Sequence, residues 1–398
     1  MHLYNTQTAE KELVTAPTGH LGIYVCGVTP YDTTHAGHAF TFLTFDILVR
    51  FLRYMDYDVT YVQNVTDIDD DILRKAKEVG LAWDELGRRE TERYQKDMRD
   101  INVLDPDHYL RATEHTREMI AIIQPLIAAG HAYVSNNSVY FSVASDPEFG
   151  KLSHIPIPEM LPIANERGNK PNDPNKKDPL DFLLWQAAAP EEPTWESPWG
   201  PGRPGWHIEC SAMATKYLGN TVDIHGGGSD LIFPHHECEI AQTELATGDK
   251  PFVRYWMHVG MVGYQGEKMS KSLGNLVLVR DVLDSYSADA LRLYLFSHHY
   301  RSTWEYIDEE IEDWAQLSRD LQEAVDFPAI GIEDEVDVSV YREQFINAMN
   351  DDLDTPTAIE ALRDISAAIL EAPEDEDVRD AQDTLRELSS VFGLSLSD

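Results

Sequence analysis

The chain has 398 residues, 42% of them hydrophobic and 10% aromatic, which suits globular folding and exceeds what one compact core usually serves. No run nears the eighteen or so apolar residues of a membrane span, and "MHLYNTQTAEKELV" lacks a leader's basic and apolar regions, so a cytoplasmic protein with no membrane partner is expected. A net charge of −38 would repel a phosphate backbone unless basic residues cluster, and three cysteines are too few for a disulfide framework.

In chain order, "LGIYVCGV" (21–28) predicts a buried strand, short and β-branched, ending at Gly27 and Pro30. "HAFTFLTFDILVRFLRYMDY" (38–57) has apolar residues at helical spacing, and "DVTYVQNVTDID" (58–69) predicts a second strand. Strand, helix and strand at this pitch imply a parallel α/β unit. Residues 83–129 read as helical and charged, and "SVYFSVAS" (138–145) as a strand within an inserted region. Residues 164–204, rich in Pro, Gly and Asn, predict a long ordered loop of the kind that carries function. "TVDIHGGG" and "YWMHVGMV" are expected to complete the parallel sheet. From Asp281 the pattern is helical, broken at "DFPAIGIEDEVDV", and ends in a separate helical bundle. The boundaries expected are 1–115 and 205–290 for the two halves of a catalytic domain, 116–204 for the insertion and 291–398 for the bundle.

Four residues carry side chains suited to one borderline-soft metal: Cys26 at a strand end, Cys210 in "GWHIECSAM", and His235 with Glu239 in "PHHECEIAQTE". The last two are four apart and share a helix face. Spacing leaves His236, Glu237 and Cys238 as competitors on the same turn, and an isolated cysteine is more often a small core residue. "HAGH" places His35 and His38 where a strand feeds a helix, a position whose free N–H groups suit phosphate. A solvated histidine pair is the plainer reading. "GEKMSKSLGN" offers Lys268 and Lys271 in a Gly-bounded loop that could close on a polyphosphate. "HGGGSD" (225–230) would let backbone approach a ligand closely. Neither a G-x-G-x-x-G nor a P-loop pattern is present.

The order of these segments resembles the cysteinyl-tRNA synthetase superfamily, a class I aminoacyl-tRNA synthetase group, along essentially the whole chain. "KMSKS" is intact, and "HAGH" stands for the family's HIGH box with Ala36 at its second position. The resemblance implies an α/β fold: a Rossmann-type catalytic domain split by an insertion, then an α-helical bundle. It implies one zinc per chain held by Cys26, Cys210, His235 and Glu239, and Mg²⁺ accompanying ATP. His35, His38, Lys268 and Lys271 match the residues that handle ATP phosphates. Gly27, Val28, Thr29, Thr41, Asn64, Val65, Thr66, Trp206, Gly228, Ser229, Asp230 and Val262 match positions lining the cysteinyl-adenylate pocket.

Two members of the superfamily activate L-cysteine with ATP and differ in acceptor. One charges tRNA(Cys); the other, the mycothiol-pathway ligase, acylates glucosaminyl-inositol. The chain ends at "LRELSSVFGLSLSD" with the helical bundle, so no C-terminal anticodon-binding domain is expected. That feature, with "GVTPYDTTHAGHA" and the "ERGNKPNDPNKKDPLD" loop, is closer to the ligase. Glu239, "DIHGGGSD" and "ECEIAQ" are closer to the synthetase, and Asn169 and Lys170 depart from the ligase, which usually has Gly and Asp there. The complete metal set and the universal need for charging favour tRNA. A third reading, an inactive regulatory paralogue, sits poorly with intact "HAGH", "KMSKS" and metal ligands. A monomer is expected. The acids are spread along the chain rather than gathered in a tail, so the charge reads as adaptation to a high-salt cytoplasm and weighs little against a tRNA partner.

Overall fold

The structure is a computed structural model that describes residues 1–31, 34–269, 273–328, 331 and 335–396. It opens with a hairpin, β1 (His2–Asn5) and β2 (Glu10–Leu13), before β3 (His20–Val25), whose side chains are almost all buried. α1 (Ala36–Tyr54) follows, with Phe40, Phe45, Leu48 and Phe51 fully buried, and then β4 (Asp58–Val65). Helices α2 (Asp70–Val79) and α3 (Trp83–Asp100) precede β5 (His108–Arg111). α4 (Thr116–Ala129) leads into β6 (Ala132–Ser135) and β7 (Ser138–Phe141). α5 (Ile157–Glu166), β8 (Phe182–Ala187) and β9 (Gly202–Pro204) come next. The chain then returns through α6 (Trp206–Leu218), β10 (Val222–Gly228), α7 (Glu237–Thr247) and β11 (Val253–Val259).

Five strands form one parallel sheet in the order β11-β10-β3-β4-β5. Strand β3 starts the first half and β10 belongs to the second, so chain order reverses between them. That reversal is a topological switch point, and ligands of open α/β sheets bind outside the strand C-termini there. Gly226 makes the close packing possible: a Cβ there would stand 2.2 Å from Met257 O and 2.5 Å from the Phe45 ring.

Two elements differ from the sequence expectation. The helical reading of 83–129 passes over β5, whose four residues "HYLR" are too short to show alternation. The loop expected at 164–204 contains β8 and β9, which join β6 and β7 in a four-stranded antiparallel sheet. Its Pro and Asn residues surround "FLLWQA" without entering it, and Leu184 and Trp185 are fully buried. This sheet is inserted between the two halves of the parallel one.

Beyond β11 lie β12 (Val262–Tyr264), β13 (Glu267–Lys268), α8 (Val279–Leu283), α9 (Ala288–Phe296) and β14 (Trp304–Glu305). The remaining helices are α10 (Ile311–Val325), α11 (Ser339–Asn350), α12 (Thr355–Leu370) and α13 (Arg379–Val391). Their apolar faces belong to the same buried cluster as β3 and α1. Polar clamps fix that junction. Asp352, fully buried, accepts from Tyr4 N, Tyr300 Oη and Arg301 Nε at 2.6–2.7 Å. Arg292, equally buried, donates to Asp46 Oδ2 (2.5 Å), Phe392 O (2.7 Å) and Ile101 O (2.7 Å). No described helix is long and apolar enough to cross a membrane.

Candidate active site

A cleft of about 950 Å³ opens at the switch point, between the C-terminal ends of β3 and β10 and the start of α6. Gly27, Val28, Thr29, Thr41, Trp206, Gly228, Asp230 and Val262 line it, as do His35 and His38. Gly27 cannot carry a side chain, because a Cβ would lie 1.6 Å from Asn64 O. Its N–H donates to Asn64 Oδ1 at 2.9 Å. Asn64, Val65 and Thr66 are buried behind this wall rather than on it, and Ser229 lies in the turn after β10, off the lining.

His35 is the N-cap of α1: its Nδ1 accepts from Gly37 N at 3.1 Å. Its ring stacks on that of His38, 3.9 Å between centroids. Both imidazoles therefore stand at the positive end of a helix running into the core, which favours an anion between them and the opposite wall. Lys268 closes the β12–β13 hairpin opposite Gly263, and Met269 reaches the cleft. The side chain of Lys268, and Lys271 altogether, lie outside the described residues.

Behind the cleft wall, which of these four only Cys26 lines, Cys26, Cys210, His235 and Glu239 each offer one ligand atom, all buried and within 4.8 Å of one another. The sulfurs are 3.5 Å apart, Cys26 Sγ is 3.7 Å from Glu239 Oε1, and His235 Nε2 is 3.1 Å from that oxygen. A tetrahedral centre with metal–sulfur bonds of about 2.3 Å sets its sulfurs roughly 3.8 Å apart, close to this spacing. Both thiols are free, and Glu239 Oε2 is buried without a hydrogen-bond partner. Two sulfurs, an imidazole and a carboxylate with lone pairs to spare fit a metal ion. Burial pushes His235 well below the usual imidazole range, leaving it neutral as a ligand must be. Burial raises Cys26 and Glu239, Cys26 further through its contact with Cys210, so without a cation this group is poor in charge.

Outer contacts orient the set. His207 Nδ1 lies 2.9 Å from His235 Nδ1, which leaves Nε2 of His235 facing Glu239, and Trp206 stacks on the same ring at 4.2 Å. Of the competitors on that turn, Glu237 is turned away, accepting from Gly150, Leu152 and Ser153 N–H groups, and Cys238 stands outside the group. His236 is different. With Cys26, Glu239 and His225 it forms a second, overlapping set of equal compactness. His225 was invisible as a candidate, since its strand signal "TVDIHGGG" draws attention to the glycines.

Other cleft residues gave no motif in the sequence. Asp69, N-cap of α2, accepts from Ile72 N at 2.7 Å. Burial raises its carboxyl to about 6, helped by Asp71 and Asp70 and opposed by the Ile72 N–H and Arg203. An acid whose pKa rises on folding costs stability once ionised, so this contribution declines as pH climbs from about 4 through 6. Asp69→Asn should flatten the pH dependence of urea unfolding over that window; an unchanged slope would refute the assignment. Glu209, in the first turn of α6, lines the cleft at 1% exposure and accepts from Thr66 Oγ1 at 2.9 Å.

Residues 12–316 match the family model of the class I (C) tRNA synthetase catalytic domain, and residues 344–397 match the DALR domain. The second match corrects the expectation that the chain lacks a C-terminal anticodon-binding domain: most of α11 and all of α12 and α13 lie within the DALR match. The chain is 48% identical over 365 residues to the cysteine–tRNA ligase of Legionella pneumophila (strain Paris), covering 91% of this chain and 79% of that protein. It is 45% identical over 421 residues to the cysteine–tRNA ligase of Thermodesulfovibrio yellowstonii, covering 99% and 85%. Among solved structures, Mycobacterium tuberculosis methionyl-tRNA synthetase in complex with methionyl-adenylate superposes with a TM-score of 0.68 over 94% of this chain and 88% of that one, at 16% identity, a likeness of fold. The chain belongs to the class I tRNA synthetases of the C type, ATP-dependent ligases that form an aminoacyl-adenylate.

Proposed function

We propose that the chain activates L-cysteine as cysteinyl-adenylate and transfers the cysteinyl group to tRNA(Cys). The observation that carries this reading is the buried Cys26, Cys210, His235 and Glu239 group, which meets the switch-point cleft at Cys26. Bound there, zinc would supply a ligation point that prefers a thiolate to an aliphatic hydroxyl, which separates cysteine from serine without a second sieve. Other residues of the cleft would serve the ATP half of the reaction. The cysteine carboxylate attacks the α-phosphate, forming the acyl–phosphate bond as the bond to pyrophosphate breaks. His35 and His38, on the α1 N-terminus, face the phosphates and oppose the charge that builds there. Lys268 and Lys271 supply cations from the KMSKS segment, with Mg²⁺ bound to ATP. Thr29, Thr41, Trp206, Gly228, Asp230 and Val262 shape the adenylate cavity, with Gly27, Val28, the buried Asn64, Val65 and Thr66, and Ser229 in the turn after β10 supporting it.

The relatives' printed names support tRNA as acceptor, and nothing in the comparisons supports glucosaminyl-inositol. Purified protein should catalyse cysteine-dependent exchange of pyrophosphate into ATP, then charge tRNA(Cys) in a single turnover. No exchange with zinc and magnesium supplied would leave the inactive paralogue; transfer only to the amino sugar would overturn the acceptor.

A further inference from the structure

Buried carboxylates need company, because an isolated charge is costly to hold away from water. Among the described residues, seven carboxylates are exposed by 1% or less. Asp46, Asp67 and Asp352 have arginine partners. Glu237 receives three N–H groups, Asp181 two N–H groups and a Tyr133 hydroxyl, and Glu239 stands in the metal-binding group. Glu209 alone among them has a single donor, the Thr66 hydroxyl, and no cation. It is also one that faces the cleft.

Its placement relative to the thiol group is fixed by two alternations. Asn64 and Thr66 lie on the same side at the end of β4, two residues apart. Asn64 Oδ1 is 3.7 Å from Cys210 Sγ, and Thr66 Oγ1 is 2.9 Å from Glu209 Oε2. Cys210 and Glu209 are neighbours in α6. A buried soft-ligand group that meets the cleft at Cys26 thus lies beside a cleft-lining carboxylate that lacks a cation. In cysteine, three bonds separate the sulfur from an ammonium group. We infer that Glu209, steadied by Thr66, is the counter-charge for the substrate's α-ammonium, so that a ligand held by its sulfur completes this buried ion pair with its amine. This rests on the reading that cysteine is activated in this cleft, and it adds a second selection, for an amino acid over a simple thiol.

Glu209→Gln keeps the shape and an acceptor for Thr66 while removing the charge. Its apparent affinity for cysteine, read as KM in pyrophosphate exchange, should weaken about 30-fold, within the range for a lost charge-assisted hydrogen bond. Inhibition by 3-mercaptopropionate, which keeps thiol and carboxylate but has no amine, should be unchanged, as should KM for ATP. Glu209→Asp, which retains the charge with shorter reach, should recover part of the cysteine affinity, and serves alone if the glutamine variant does not fold. Equal weakening toward both thiols would mark Glu209 as structural and overturn the inference, as would no weakening toward either. Exchange absent from the unaltered protein would remove the activation reading and this inference together; normal exchange with an indifferent Glu209→Gln would remove only the inference.

Discussion

Cys210→Ser is expected to lose its zinc on dialysis against a weak chelator, whereas the unaltered protein keeps about one ion per chain. The sulfur sits 3.5 Å from Cys26 Sγ and is buried. A serine hydroxyl is a hard, protonated and therefore poor ligand at neutral pH. Loss of an outer partner alone costs 10–100-fold in metal affinity, and loss of a direct sulfur ligand should exceed that. Mass-spectrometric metal content is the primary readout, and the cysteine-to-serine ratio in exchange the second. The overlapping set of Cys26, His225, His236 and Glu239 makes the outcome informative in the other direction. If Cys210→Ser keeps full zinc while His225→Ala releases it, the histidine set is the true site, and the proposed selection of cysteine through Cys210 fails.

The second large effect concerns stability. Arg292→Met should lower the unfolding free energy by about 3–5 kcal/mol, the cost of breaking a buried ion pair by removing one partner. Methionine fills much of the space yet leaves Phe392 O and Ile101 O without their donor, and deprives Asp46 of one of two arginines. Asp46 still holds Arg50 at 3.0 Å and accepts from Leu104 N at 2.9 Å, so α1 and the segment after α3 keep their link while α9 and the end of α13 lose theirs. Combining Arg292→Met with Asp46→Asn should cost less than the sum of the two, by about 0.5–3 kcal/mol. A single-variant loss under 1 kcal/mol by urea unfolding, or strict additivity, would show that the clamp is not what joins the helical domain to the sheet.

Much of the catalytic frame was legible because its elements are long, apolar and buried: β3, α1 and β4 announce themselves by composition. The grouping of Cys26, Cys210, His235 and Glu239 was readable only jointly, through order along the chain, since each alone resembles an ordinary core residue. What escaped has a common physical cause. β5 and β9 are too short for a period to emerge, and β8 is sheltered inside a Pro- and Asn-rich stretch whose turns dominate its surroundings. Glu209 looks like any acid in a helix's first turn, where the dipole welcomes it. Only burial reveals that its carboxyl faces inward. His225 hides for the opposite reason, as a polar residue inside an apolar strand.

The split sheet also has a bearing on when the cleft can exist. Cys26 and Cys210 are separated by 184 positions, and Cys26 and Glu239 by 213. They meet only once β10 has paired with β3, a contact of high sequence separation that forms slowly because the closure entropy of the long intervening segment must first be overcome. Until then, two of the chain's three thiols are unshielded and mutually distant. Assembly of this group is therefore a late event in folding, and oxidative damage to Cys26 should be greatest in chains still awaiting their second half.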